Sequence, residues 1–245
     1  MEKKFPVIQY DFKEKGRFGG DVMNMSINEK LKPKNEVQLR GTLIGMKSTT
    51  KLTSFVIVTD GGEEKGSTVV NVIFYGTVKG TFKVKDHVDI VAHMQSKIIK
   101  TEDGKRSYHQ MVIGNAIKKT NRLLYDYLPI DDFKSQEGGI PDDVNKAFIY
   151  GKVSRVFVPN DNYAIVTVLV PTENNKANFC DVICYKRQAK VASLLNEGDF
   201  VVSIGEIRSS KERPAANEIF KQCVICKDVA RIKEEDFDAS SYTEE

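Results

Sequence analysis

The sequence predicts an all-β protein made of two tandem copies of one small five-stranded barrel, with a short helix in the second copy. Two observations carry this expectation. The first is a repeat. VVNVIFYG (69–76) and FCDVICYK (179–186) are strand-like runs ending in a tyrosine, Tyr75 and Tyr185, 110 positions apart. The flanking segments recur at nearly the same offset: QLRGTLIG (38–45) as FIYGKVSR (148–155), which aligns Gly41 with Gly151, and SFVIVTD (54–60) as YAIVTVL (163–169). VKDHVDIVAHM (84–94) returns as NEGDFVVSIGEI (196–207), and QMVIGNAIKKT (110–120) as QCVICKDVARI (222–232). Self-similarity of this kind marks one structural unit used twice. The second observation is composition: the repeated segments are rich in Val, Ile, Phe and Thr and are broken by glycine, Asp-Gly and lysine-rich turns, as strands are.

In the first copy the strands read as 36–46, 53–60, 68–76, 87–98 and 107–117, with turns at Gly61-Gly62 and at the hairpin signal Asp103-Gly104. In the second they read as 147–157, 162–171, 178–186, 200–208 and 219–231. Between its third and fourth strands RQAKVASLLNEGD has the pattern of a short amphipathic helix ending at Gly198. The same slot in the first copy, GTVKGTFKVKD, holds two glycines and disfavours a full helix. Five strands with a helix after the third is the order of the OB-fold, a small Greek-key barrel; an SH3-like or other small barrel is the alternative. The expected organisation is a basic leader (1–35), OB-fold domain 1 (36–120), an acidic linker (121–145), OB-fold domain 2 (146–232) and an acidic, disordered tail (233–245).

Charge follows that division. The net +3 hides +5 over 36–120 and +4 over 146–232, against −4 over 121–145 and −5 over 233–245. Basic modules suit a polyanionic partner, although solvated lysines explain a charge of this size equally well. No apolar stretch approaches the length of a membrane span, and the N-terminus lacks the apolar core of a signal peptide. A cytoplasmic location and free cysteines follow as expectations.

Strand alternation separates the two faces of strand three. Val70, Val72 and Phe74 lie on one face, as do Cys180, Val182 and Cys184; closing the barrel buries these and turns Tyr75 and Tyr185 outward. An outward tyrosine on a basic barrel is what base stacking needs, at about 1–3 kcal/mol per base without sequence preference. Packing against a strand edge is the structural alternative. Phe55 and Tyr163 read as a second matched pair on strand two, with core packing as the alternative for Phe55. Candidate phosphate contacts are Arg40 and Arg155 near the first strands, Lys79 after Tyr75, and Lys186 and Arg187 after Tyr185. The strand four–five hairpins add Lys97, Lys100, Lys105, Arg106 and Tyr108 in the first copy and Arg208, Lys211 and Arg213 in the second.

TVVNVIFYGTV, VKDHVDIVAHMQSKI and GKRSYHQMVIGNAI together resemble the bacterial single-stranded DNA-binding protein family. Phe74-Tyr75-Gly76 matches its aromatic-plus-glycine strand end, and Asp86 to Val91 and Glu197 to Val202 match its next strand. The resemblance covers 36–120 well and 146–232 loosely. It implies that Tyr75, and more loosely Tyr185, occupy the place of a base-stacking aromatic. It also implies a two-module chain working as a homodimer, and an acidic tail that recruits replication or recombination proteins. The chain departs from the family in having no Trp, in carrying Lys186 where a glycine is usual, and in lacking the usual terminal Asp-Pro-Phe.

The expected function is sequence-independent coating of single-stranded DNA, with single-stranded RNA binding and a protein-binding adaptor as rivals. No cofactor, metal or enzymatic activity is expected. Cys180, Cys184 and Cys223 align with the apolar Val70, Phe74 and Met111, and Cys226 with Gly114, so the cysteines read as core rather than ligands. No phosphate-binding loop or nucleophile motif is present. The leader interleaves Phe5, Tyr10, Phe12 and Phe18 with lysines, a pattern open to several roles.

Overall fold

The computed structural model describes residues 30–60, 66–100, 106–120, 143–172, 177–209 and 222–242. Within them every strand expected from the sequence forms. The first barrel contains β1 (Lys34–Ser48), β2 (Leu52–Asp60), β3 (Ser67–Tyr75), β4 (His87–Lys100) and β5 (Arg106–Lys119). The second contains β6 (Val144–Asn160), β7 (Tyr163–Pro171), β8 (Ala177–Tyr185), β9 (Phe200–Ser209) and β10 (Gln222–Ile232), with helix α1 (Arg187–Ala192) between β8 and β9. Pairing runs β2-β3-β5-β4-β1, and β1–β2 closes the ring. Among the described residues, the only parallel pairing in that ring is β3–β5, through Val72↔Val112. The second barrel repeats this as β7-β8-β10-β9-β6, with Val182↔Val224 parallel. This is the OB order, twice.

The first strand of each copy has two jobs. The second half of β1 pairs with β2, from Thr42↔Val58 to Ser48↔Thr53. Its first half pairs antiparallel with β6, from Lys34↔Tyr150 to Arg40↔Val144, and so joins the barrels into one ten-stranded sheet. The middle pair of that register is Val37↔Ala147, the same position in the two copies. The copies therefore face one another across a pseudo-two-fold, the geometry of a self-complementary dimer interface built within one chain. Bulges at Leu43/Gly45 and Val153/Arg155 mark where each strand changes direction.

Two matched pairs pin this arrangement. A Cβ at Gly41 would sit 2.3 Å from the Val58 carbonyl oxygen, and one at Gly151 2.4 Å from that of Leu169. Only glycine allows strands one and two to approach so closely. Asn35 Nδ2 donates to Met94 O and its Oδ1 accepts from Met94 N, both at 2.8 Å. Asn145 does the same to Ile207, at 2.9 and 2.8 Å. Each asparagine thus stands in for a backbone partner of the fourth strand, just before the sequence-expected start of each module.

The cores follow strand parity. Val70, Val72 and Phe74 are buried, as are Cys180, Val182 and Cys184. The Phe74 ring lies where a Gly114 side chain would be, 2.2 Å from that Cβ position. The second barrel fills the same place with Cys184 and Cys226, both buried and free. A large residue over none is exchanged for two small ones, which conserves volume. Burial pushes the Cys180 thiol up and keeps it protonated.

Two sequence expectations are corrected. The helix is shorter than RQAKVASLLNEGD: α1 stops at Ala192, and Gly198 (φ +93°) ends a run of turns. The segment from 233, expected to be a disordered tail, packs on the second barrel as far as Tyr242. Glu234–Asp236 form a single 3-10 turn. Phe237 is 1% exposed and stacks on Phe200 with centroids 4.6 Å apart. Leu31 bridges it: Leu31 N donates to Asp236 O and Asp238 N to Leu31 O. Tyr242 Oη donates to Leu169 O at 3.0 Å and accepts from Lys152 N at 3.1 Å. Composition suggested disorder, but two aromatics reaching an apolar shelf outweigh it. The pseudo-symmetric place in the first barrel is polar instead, where His87 Nε2 meets Asp143 Oδ1 at 2.8 Å.

Candidate nucleic-acid interface

Strands β3 and β8 have identical alternation of buried and exposed residues, ending on tyrosine. Tyr75 is 61% exposed and Tyr185 is 47% exposed. The pseudo-two-fold gives each barrel one outward ring at the same strand end. Their neighbours differ. Tyr75 lies across from Leu52 and donates to Gln95 Oε1 at 3.3 Å. Tyr185 lies across from Tyr163, with centroids 5.4 Å apart and planes tilted by 52°. Burial, then the neighbouring Tyr185, raises the Tyr163 hydroxyl above its usual range, so Tyr163 stays neutral.

This register corrects the second matched pair. Tyr163 corresponds to Leu52, because each faces its strand-three tyrosine. Phe55 is 1% exposed and packs edge-on against Phe74 and Phe82, at 5.6 and 5.5 Å. It is core, because parity along β2 buries Thr53, Phe55, Ile57 and Thr59 together.

Among the candidate cations, Lys79, Lys97, Arg155, Lys186 and Arg187 are exposed. Arg155 lies 5.7 Å from the Phe157 ring centroid. Lys186 and Arg187 flank Tyr185 at the start of α1. Lys186 has φ 49° and ψ −116°, a conformation that glycine tolerates and side chains resist; its counterpart Gly76 has φ +80°. Two arginines are engaged elsewhere. Arg40 Nε donates to Asp89 Oδ1 at 2.6 Å. Arg208 Nη2 and Nε donate to Glu206 Oε1 at 2.8 and 3.1 Å. Burial alone would raise the Glu206 carboxyl, but Arg208 and Lys227 outweigh it and hold it low. Both arginines meet internal carboxylates rather than standing as open phosphate contacts. Lys100, Arg106 and Tyr108 lie on the β4–β5 hairpin, paired as Lys100↔Arg106 and Ile98↔Tyr108, but their side chains fall outside the described residues. Lys105, Lys211 and Arg213 lie outside the described residues altogether.

Two aromatics join this surface that the sequence reading passed over. Phe157 is 47% exposed and Phe179 is 38% exposed, both on the outward face of the second barrel. Phe179 shares parity with Asp181, Ile183 and Tyr185, and that parity was the signal available in the sequence.

No protein-family model matches the chain, and no curated protein matches it. Solved structures do. The wild-type single-stranded DNA-binding protein from Thermus aquaticus is 15% identical, with a TM-score of 0.56, covering 83% of this chain and 95% of that one. A shortened, substituted form of the same protein is 16% identical, with a TM-score of 0.56, covering 82% and 96%. At this identity the likeness speaks to the fold alone.

Proposed function

We propose that the chain is a non-catalytic protein that binds single-stranded DNA largely without regard to sequence, coating it during replication, recombination or DNA transfer. The observation that carries this reading is the pair of outward tyrosines, Tyr75 and Tyr185, at equivalent strand ends of two OB-type barrels. Bases stack on the rings, while Lys79, Lys97, Arg155, Lys186 and Arg187 meet phosphates. The likeness to a single-stranded DNA-binding protein supports the reading through the fold. By the family resemblance a second copy completes the working assembly as a homodimer, which sedimentation at graded concentrations tests. Recruitment of partners through the acidic tail receives no support, because Phe237 and Tyr242 are packed on the second barrel.

The test is fluorescence titration of labelled dT and rU oligomers and a duplex at two salt concentrations. The expected result is binding to single strands that weakens steeply with salt, with little binding to duplex. Tighter binding of rU than dT would move the reading to RNA. Failure to bind any single strand at low salt would sink it.

A further inference from the structure

The two barrels touch through matched residues, and one of the two matched contacts is open. On one side Gln222 clasps the backbone of β3: its Nε2 donates to Asn71 O at 2.8 Å and its Oε1 accepts from Asn71 N at 2.9 Å. Ser209 Oγ adds a bond to Val69 O at 2.7 Å. The pseudo-two-fold maps Gln222 onto Gln110, Ser209 onto Ser96, Asn71 onto Asp181 and Val69 onto Phe179. There the clasp is not made. Phe179 N reaches Ser96 Oγ at a long 3.4 Å. Gln110 is 7% exposed, and its Oε1 has no hydrogen-bond partner among the described residues. In the space that the missing clasp leaves lies a cavity of about 390 Å³, lined by Gln110, Arg155, Phe157, Thr167, Phe179 and Asp181 among others.

A buried amide oxygen without a partner costs about 1–3 kcal/mol, and a ligand that supplies the partner recovers it. The cavity is on the small side of ligand sites. Its chemistry is that of a planar heterocycle with a polar edge. Phe157 and Phe179 offer apolar rings, and Gln110 lines the wall with a buried amide whose oxygen lacks a partner, to be turned toward a ligand. Asp181, already taking the Thr167 hydroxyl at 2.7 Å, accepts only. Arg155, over Phe157, supplies a cation beside the cavity. The cavity also continues the proposed binding face: Asp181 and Tyr185 share the outward side of β8, about 13 Å apart along the strand.

We infer that this cavity between the barrels is a base pocket that takes one nucleotide of the bound single strand and favours bases with an exocyclic amino group. The inference rests on the proposed single-strand binding. Gln110 and Asp181 present acceptors to the amino group, the ring lies against Phe157 and Phe179, and Arg155 meets the adjoining phosphate. The amide of Gln110 can rotate to offer its nitrogen, but the Asp181 carboxylate cannot become a donor while ionised.

Oligomers of dC and dT of equal length test it, because their rings match in size and differ at the amino edge. The full-length protein is titrated with both, alongside the variants Phe157→Ala and Gln110→Met. The expected result is that the wild type binds dC more tightly than dT by about fivefold or more. Gln110→Met should bring dC down to the level of dT and leave dT within about twofold, whereas Phe157→Ala should weaken both oligomers, dC more than dT. Phe157 is exposed, so its variant tests the pocket even if Gln110→Met fails to fold. Equal binding of dC and dT by the wild type overturns the inference and leaves the proposed function standing, as does an equal loss on both oligomers in Phe157→Ala. Absence of binding to either oligomer overturns the proposed function itself.

Discussion

Replacing Lys186 by glycine should stabilise the protein and weaken its grip on a single strand at the same time. Lys186 holds φ 49° and ψ −116° at the end of β8, where the first barrel has Gly76 at φ +80°. A side chain in such a conformation costs about 1–3 kcal/mol. Glycine removes that strain but returns about 0.5–1 kcal/mol through the greater freedom of the unfolded chain. The net gain is about 1 kcal/mol, or about 2–4 °C in Tm for a chain of this size. The lost ammonium stands beside Tyr185, so the slope of log K against log salt should flatten by about 0.7, the share of one phosphate contact on a single strand. The fold contains its own control. Lys85 has φ +79°, and its counterpart Gly198 has φ +93°, so the copies exchange lysine and glycine at both places. Lys85 precedes β4 at the end away from Gln95, the residue that touches Tyr75. Lys85→Gly should raise Tm by a similar amount and leave the salt slope unchanged. Thermal unfolding by circular dichroism and titration of a dT oligomer at several salt concentrations read both quantities. A lower Tm in Lys186→Gly refutes the strain argument, and an unchanged salt slope refutes the phosphate contact.

Tyr75→Ala and Tyr185→Ala should each weaken single-strand binding by about 1–3 kcal/mol, and the double variant more than either; a double variant that binds like the wild type removes the stacking assignment. Phe237→Ala should cost about 3–5 kcal/mol of stability, because a fully buried ring stacked on Phe200 is lost. It should also expose residues 233–242 to limited proteolysis, and an unchanged cleavage pattern would contradict the docked tail. Asn145→Ala removes both bonds to Ile207 and leaves a backbone pair short of partners, at about 1–3 kcal/mol. Asn35→Ala should behave alike through Met94, and a marked difference between them in denaturant unfolding would argue against equivalent roles.

What the sequence determined by itself is what depends on short stretches of chain. Alternation is a local property with a period of two, so the buried faces of β3 and β8, the outward tyrosines and the core placement of Cys180 and Cys184 were legible from single strands. The repeat made the barrel count and strand order legible as well, because two weak patterns at one offset support each other.

Only the tertiary structure decided what depends on register between distant segments. Val- and Ile-rich strands match one another at several offsets, so the sequence pairs Phe55 with Tyr163, three residues away from the register in which strand pairing puts Leu52 in that place. Arg40 reads as an outward cation in the sequence, but Asp89 on the neighbouring strand claims it. The tail reads as solvated because its charges are local, whereas the shelf that holds Phe237 is formed by Leu31 and Phe200, far away along the chain. The open cavity is further still from sequence inspection. Gln110 and Gln222 are matched residues in matched strands, and only the packing of the two barrels leaves one clasped and the other without a partner. Hydrogen bonds across 151 positions of chain are set by how two barrels meet, and no window of residues encodes that alone.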